Sequence, residues 1–232
     1  MIRKRTKALA NLRTDLKRSE RLLKIERSTF PDPPKTTYQR IGVEGLRGGA
    51  VVLMAATFEA YLKDVFLEVV QELENRRGTS KKVTLSSEFI LAHDFDGLEA
   101  VMRDKQGNKS TRHSDLRRVA RAIARGELVG DGFARTEANP RPEVVSKMLK
   151  RFGVNEPFKE LATKAAAAGL THSETYLRTK LDEILDRRNE VAHQGVSLNV
   201  TRLQLAEYVS FISDLCTVID AAIVDRFKKI CL

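Results

Sequence analysis

The segment from Ser173 to His193 contains neither proline nor glycine, and its apolar residues recur with the period of an α-helix, about 3.6 residues per turn. They form one stripe: Leu177, Leu181, Ile184, Leu185, Val191 and Ala192. Arg188 falls near the middle of this stripe, where a guanidinium is costly unless it is paired. We therefore predict a core-packed helix, capped at Gly195, whose arginine either forms an ion pair inside the bundle or faces a cleft.

The rest of the chain also has mainly helical periodicity. Further helices are predicted at about residues 2–28, 38–77, 142–151, 156–168 and 200–230. The second of them has a stripe of core positions: Val51, Ala55, Phe58, Leu62, Val65, Phe66, Val69 and Leu73. Glycine-rich breaks between residues 78 and 140 indicate short inserted helices. The predicted fold is all-α, with a basic helix and proline-rich loop in residues 1–34 and a helical domain in residues 35–232.

Basic residues outnumber acidic ones by 41 to 31, which gives a net charge of +10. This balance favours a polyanion or an acidic protein as the partner. Cys216 and Cys231 have no paired framework, as is typical of reduced thiols in a cytosolic protein. No hydrophobic signal segment follows the basic start, and the longest apolar run, Ala50 to Ala56, is too short to span a bilayer. We expect a soluble, cytoplasmic protein.

The end of the predicted motif helix reads Arg187-Arg188-Asn189-Glu190-Val191-Ala192-His193. Arginine offers a fork of donors matched to phosphate oxygens, and histidine exchanges protons near neutral pH. The negative end of the helix dipole favours the protonated form of His193. These groups are the ones needed to cleave a phosphodiester without a metal. The structural alternative makes Arg188 an arginine that reaches out to solvent and His193 a helix cap.

The string RRNEVAH, followed by Gln194 and Gly195, resembles the RRNEIAHG form of the HEPN superfamily, in the branch of the RiboL-PSP and MAE-type groups. A second string, from Ala55 to Leu62, is similar to the first core helix of that branch. The resemblance covers about residues 40–77 and 173–231. It implies an up-and-down helical bundle, here with a helical insertion at about residues 79–150, and a homodimer that joins two motifs across a two-fold axis.

The motif predicts a metal-independent endoribonuclease that uses the 2′-hydroxyl of single-stranded RNA as nucleophile and leaves 2′,3′-cyclic phosphate and 5′-hydroxyl ends. His193 moves the proton, Arg188 stabilises the phosphoryl group, and Asn189 orients His193 or the phosphate. Glu59, at the edge of the core stripe of residues 38–77, is predicted to pair with Arg188 and hold it towards the cleft. We predict no cofactor and no metal site, because the pair His93-Asp94 has no second ligand pair at a suitable spacing.

A second basic element lies in the insertion, where Arg117, Arg118, Arg121 and Arg125 fall close together on a predicted helix. Together with Arg187, they are candidates for RNA contact, although a solvated face is the simpler interpretation. Two other functions stay open. The chain could be a non-catalytic HEPN module for RNA binding or regulation, or a helical protein that docks to an acidic partner such as an antitoxin. A toxin–antitoxin or antiviral defence setting is the expectation for the nuclease. The wide apolar face of residues 200–230 predicts a partner surface beside the core.

Overall fold

A computed structural model describes residues 5–79, 83, 85, 87–103, 109–128, 139–194 and 200–231. Every regular element within these ranges is helical, which confirms the all-α prediction. In chain order the elements are α1 (Lys7–Thr29), α2 (Thr37–Thr79), α3 (Ser87–Arg103), α4 (Lys109–Ala124), α5 (Pro142–Arg151), α6 (Pro157–Ala167), α7 (Glu174–Asn189), a π-helical turn (Glu190–Gln194) and α8 (Arg202–Ile230).

Helices α2 and α8 pack against each other, and both α1 and α7 contact the two of them. The core stripe predicted for α2 is buried at every position: Val51, Ala55, Phe58, Leu62, Val65, Phe66, Val69 and Leu73. Helix α1 adds four leucines to the same core: Leu9, Leu12, Leu16 and Leu23. Helix α1 therefore shares one hydrophobic core with the helices that follow it.

Local hydrogen bonds fix where the two helices around the motif begin. The hydroxyl oxygen of Ser173 accepts from the backbone N–H of Tyr176, which caps the start of α7. Thr201 and Gln204 form a reciprocal capping box at the start of α8. Each cap satisfies backbone donors that the first turn of a helix leaves without a partner. These two caps therefore fix where α7 and α8 begin.

The apolar face of α8 is almost entirely covered by its own chain. Eight of its predicted members are buried: Leu205, Val209, Ile212, Leu215, Val218, Ile219, Ala222 and Ile223. Only Leu203 and Ala206, in the first turns, are exposed. The prediction that this face is wide enough to need a partner is wrong, because helices on several sides of α8 share it as core.

The insertion that follows α2 contains α3, which packs against α4 and contacts α5. Helix α4 is fastened to the end of α2. The Arg77 guanidinium donates to the Gly126 carbonyl, and the backbone N–H of Leu128 donates to the Glu74 carboxylate at 2.8 Å. Val119 is the buried side chain of α4. None of the described helices is both long and apolar enough to cross a membrane.

Candidate active site

The sequence predicted an α-helix as far as His193, but in the structure the α-helix ends earlier. Helix α7 ends at Asn189, and residues 190–194 form a π-helical turn. A π-helical turn carries more residues per turn than an α-helix, so it rotates the side chains that follow. The first four apolar residues of the predicted stripe are buried, but Val191 is half-buried and Ala192 is exposed. The motif therefore combines a regular helix end with a widened turn, a feature often found at functional sites.

Arg188 is half-buried at this helix end, and its Nη1 donates to Oδ1 of Asn189 at 3.0 Å. Among the residues that the structure describes, no carboxylate forms an ion pair with Arg188. A partly buried guanidinium without a counter-charge favours the binding of an anion, because the anion replaces the water lost on burial. The amide of Asn189 thus holds the Arg188 guanidinium. That Asn189 orients His193 or the phosphate stays a prediction.

The expected ion pair between Arg188 and Glu59 does not form in the structure. The Glu59 carboxylate lies 2.6 Å from Nζ of Lys63, one turn along α2. The side chain of Glu59 is 19% exposed, in agreement with its predicted position at the edge of the core stripe. A lysine four residues away on the same helix competes with partners on other helices, and here Lys63 is one partner of Glu59.

The neighbouring Arg187 is held differently from Arg188. Its Nη1 donates to the Glu190 carboxylate at 3.0 Å, and Tyr208 of α8 is near enough to interact electrostatically with its guanidinium. The Tyr208 hydroxyl donates to Glu183 at 2.5 Å, and Lys180 donates to the same carboxylate at 3.0 Å. This chain of contacts ties the outer side of α7 to α8. Sequence reasoning missed it, because the tyrosine belongs to another helix and no spacing rule links the two.

The acidic face of α7 below the motif also has a partner that was not predicted. Arg141, just before α5, lies 3.1 Å from the Asp182 carboxylate and also pairs with Asp186. Because Arg141 compensates both carboxylates, their negative charge opposes an anion near the motif less than the sequence alone would indicate.

The backbone of His193 lies in the π-helical turn. Its imidazole, and Gly195 with its predicted capping role, lie outside the part of the chain that the structure describes. The structure therefore brings Arg187, Arg188 and Asn189 together within one turn of helix. The role of His193 stays a prediction from the sequence.

The arginines of the insertion share one open groove along α4, with a cavity volume of about 660 Å³. It is lined by His113 and by all four predicted arginines: Arg117, Arg118, Arg121 and Arg125. Their side chains are exposed, and two of their ion pairs are local and long, at 3.7 Å from Arg118 to Asp115 and 3.8 Å from Arg125 to Glu127. Exposed ion pairs of this length contribute little, so they oppose a contact with phosphates only weakly.

Two further histidines are enclosed by the fold. His172 is half-buried, stacks on Tyr176 and lies 3.4 Å from the Asp214 carboxylate. His93 is buried and stacks on Phe89, and burial together with the nearby Arg151 lowers the pKa of His93 to about 4. Within the described residues, no group of His, Cys, Asp and Glu side chains has the arrangement of a metal site.

The comparisons with known proteins add one finding on ancestry. The family model described as RiboL-PSP-HEPN matches residues 2–225 of the chain. The match extends beyond the two segments that carried the resemblance in the sequence, and it includes the N-terminal helix and the insertion. Searches of curated proteins and of solved structures gave no match.

Proposed function

Because the chain belongs to the RiboL-PSP-HEPN family, we propose that it is a metal-independent endoribonuclease acting on single-stranded RNA. The observation that carries the proposal is the half-buried Arg188, which has an amide as its partner and no carboxylate among the described residues. Many helical arginines serve as structural ion pairs. An arginine held by a neutral group keeps its charge for an incoming phosphate.

The proposed reaction transfers the phosphoryl group within the RNA. The 2′-hydroxyl loses its proton to a base and attacks the adjacent phosphorus, while the bond from phosphorus to the 5′-oxygen breaks. That oxygen takes up a proton and leaves as a 5′-hydroxyl, and the other product ends in a 2′,3′-cyclic phosphate. Arg188 stabilises the charge that develops on the phosphoryl oxygens, and Asn189 holds the guanidinium in place. His193 moves a proton.

This reaction needs both an acid and a base, and one motif supplies one histidine. We therefore propose that the active unit is a two-fold homodimer in which each copy contributes its His193. The support is chemical, since the face of α8 that was expected to require a partner is covered within one chain. Sedimentation at micromolar concentration should show a dimer. A mixture of Arg188→Ala and His193→Ala proteins should stay nearly inactive, and a cleaving monomer would contradict the proposal.

The groove of α4 favours a second candidate, an RNA-binding module that does not cleave. Its four exposed arginines could follow a phosphate backbone whether or not the motif is active. In the nuclease, the same groove would serve to hold the substrate. A toxin–antitoxin or antiviral defence setting is the physiological proposal, with an acidic antitoxin-like protein as a possible partner for the basic surface.

The deciding experiment is cleavage of single-stranded RNA in excess EDTA by the wild-type protein and by the His193→Ala variant. The wild type should cut and leave cyclic phosphate ends, which resist phosphatase until acid opens the ring. His193→Ala should be inactive with an unchanged helical circular dichroism spectrum, and His172→Gln is the histidine control. Equal cutting by His193→Ala, or cutting that requires added metal, would reject the proposal. RNA binding without cleavage would favour the second candidate.

A further inference from the structure

Four charged side chains form an ion cluster: Glu26 and Arg47 are its buried centre, and Asp32 and Arg202 join it from nearer the surface. Glu26 of α1 is fully buried and lies 2.8 Å from Nη2 of Arg47 on α2 and 2.9 Å from Nε of Arg202 on α8. Asp32, in the loop between α1 and α2, lies 3.3 Å from Arg47 and 3.5 Å from Arg202. Two cations and two carboxylates compensate each other's charge.

The cluster also holds backbone carbonyls. Nη1 of Arg47 donates to the Val200 carbonyl at 2.9 Å, and Nη2 of Arg202 donates to the Phe30 carbonyl at 2.8 Å. Val200 is the first residue that the structure describes after the π-helical turn of the motif, and Arg202 begins α8. Arg47 is therefore bonded directly to the chain where it returns from the motif.

The next residue of α2, Gly48, touches the chain where it enters the motif turn. A Cβ atom at position 48 would lie 3.2 Å from Cγ1 of Val191, closer than ordinary van der Waals contact. Glycine thus permits α2 to approach the π-helical turn. Two consecutive residues of α2 thus contact the chain at two places around the motif. Gly48 contacts Val191 in the π-helical turn, and Arg47 donates to the carbonyl of Val200 just before α8.

Stability alone does not account for this arrangement. A buried ion cluster is often no more stabilising than apolar residues of similar volume, because the charges lose their hydration. An ionic cluster with directional bonds does specify position, since the fork of Arg47 reaches the Glu26 carboxylate and the Val200 carbonyl at the same time. Position matters most beside a reacting group, where a misplacement of about 1 Å can lower the rate by about 10²-fold.

We infer that Arg47 and Gly48 are positioning residues that fix the motif turn between α7 and α8. The inference rests on the proposed function for its kinetic consequence, but the contact itself is independent of any activity. Arg47→Lys keeps the charge and can still pair with Glu26, but it loses the fork that also reaches Val200. Gly48→Ala pushes on Val191 without changing any charge.

The test compares the kinetics of these variants with those of Asp220→Asn. Asp220 is a buried carboxylate of α8 that accepts from Thr6, so its variant weakens a buried contact that does not touch the motif turn. Arg47→Lys should lower kcat by about 10²-fold with little change in KM, as expected for a misplaced reacting group. Gly48→Ala should lower kcat less, and adding Val191→Ala should restore it by making room for the new methyl group.

Nuclear magnetic resonance separates the positioning from the proposed reaction. The chain has 4 histidines, so the imidazole signal of His193 can be assigned by substitution. Arg47→Lys and Gly48→Ala should shift the signals of His193 and of the Val191 methyl groups, whereas Asp220→Asn should leave them in place. If the wild type does not cut RNA, the proposed function fails and these signals alone test the positioning. Unmoved signals, or losses of kcat that only follow the folded fraction in all variants, would overturn it.

Discussion

Helix α4 exposes all four of its predicted RNA-contacting arginines, whereas the end of α7 holds Arg188 half-buried against Asn189. Exposed guanidinium groups are well hydrated, so each gains little from a phosphate, and salt screens what it gains. A half-buried guanidinium has already lost part of its hydration and has a fixed direction. If the protein is the nuclease proposed above, we therefore expect α4 to add RNA affinity in small, additive amounts and Arg188 to act on the transition state of cleavage.

The largest expected effect is at Arg188. Arg188→Ala should lower the cleavage rate by about 10³–10⁵-fold, the range for an arginine that stabilises a phosphoryl transition state. Arg188→Lys should recover only a small part, because a lysine does not offer the planar fork. Single-turnover cleavage in EDTA measures both rates.

Arg187→Ala is the matched control, since Arg187 lies next to Arg188 but is already paired with the Glu190 carboxylate. Its rate should fall much less, because its guanidinium has partners of its own. An equal fall in the cleavage rate for the two variants would contradict the expectation that Arg188 has the special role.

The second expected effect is in the pH dependence of stability, and it concerns the inner face of the insertion. Burial lowers the pKa of His93 from its ordinary 6.5 to about 4, so the native state keeps it neutral while the unfolded chain takes up a proton. The stability is therefore complete above pH 6.5 and is lost as the pH falls towards 4, by up to about 3 kcal/mol. Urea unfolding between pH 7 and pH 4.5 measures it.

His93→Gln should flatten this part of the pH profile, since glutamine does not titrate. The same dependence of unfolding free energy on pH in both proteins would show that the native state does not lower the pKa of His93. A steep dependence in the wild type alone would show that the insertion is firmly packed around His93. Its contact with RNA would then be limited to the outer surface that carries the α4 arginines.

The third expected effect is on the salt dependence of RNA binding. Replacing Arg117, Arg121 and Arg125 with alanine removes three phosphate contacts at most, and each contact to a single strand contributes about 0.7 to the logarithmic salt slope. The slope should become shallower by about 2, while the cleavage rate at saturating RNA stays the same. A fall in that rate would mean that the α4 groove takes part in the reaction.

Periodicity predicted the helices well because each apolar face is covered by the same chain. The stripe of α2 and the first four stripe residues of α7 are buried as predicted. The prediction failed where contacts between distant segments decide the structure. The widened turn after Asn189 packs against Gly48, and the apolar face of α8 is shared among several helices. A period shows which face is apolar but not what covers it.

The sequence named candidate residues for the site, but it did not predict the partners that those residues have in the structure. Arg188 was expected to pair with Glu59, yet Lys63 on the same helix is the nearer partner of that carboxylate. No local sequence pattern predicted the cluster of Glu26, Asp32, Arg47 and Arg202, because its members come from four separate segments of the chain. Ion pairs between distant segments depend on the packed fold, so a single sequence contains no spacing that reveals them.

The smallest expected effect is at Tyr208 of α8, whose hydroxyl bonds Glu183 of α7 beside Arg187. Burial and the neighbouring Glu183 carboxylate raise the pKa of Tyr208 well above its ordinary value, so its hydroxyl stays protonated and donates to Glu183 at 2.5 Å. Tyr208→Phe removes this donor, but Lys180 still donates to Glu183 at 3.0 Å, so the free energy of unfolding should fall by only about 1 kcal/mol. Cleavage should continue at the wild-type rate, because Arg187 keeps Glu190. A large loss of kcat at nearly unchanged stability would mean that the hold on Arg187 matters for the reaction, and the two arginines of the motif would then act as one unit.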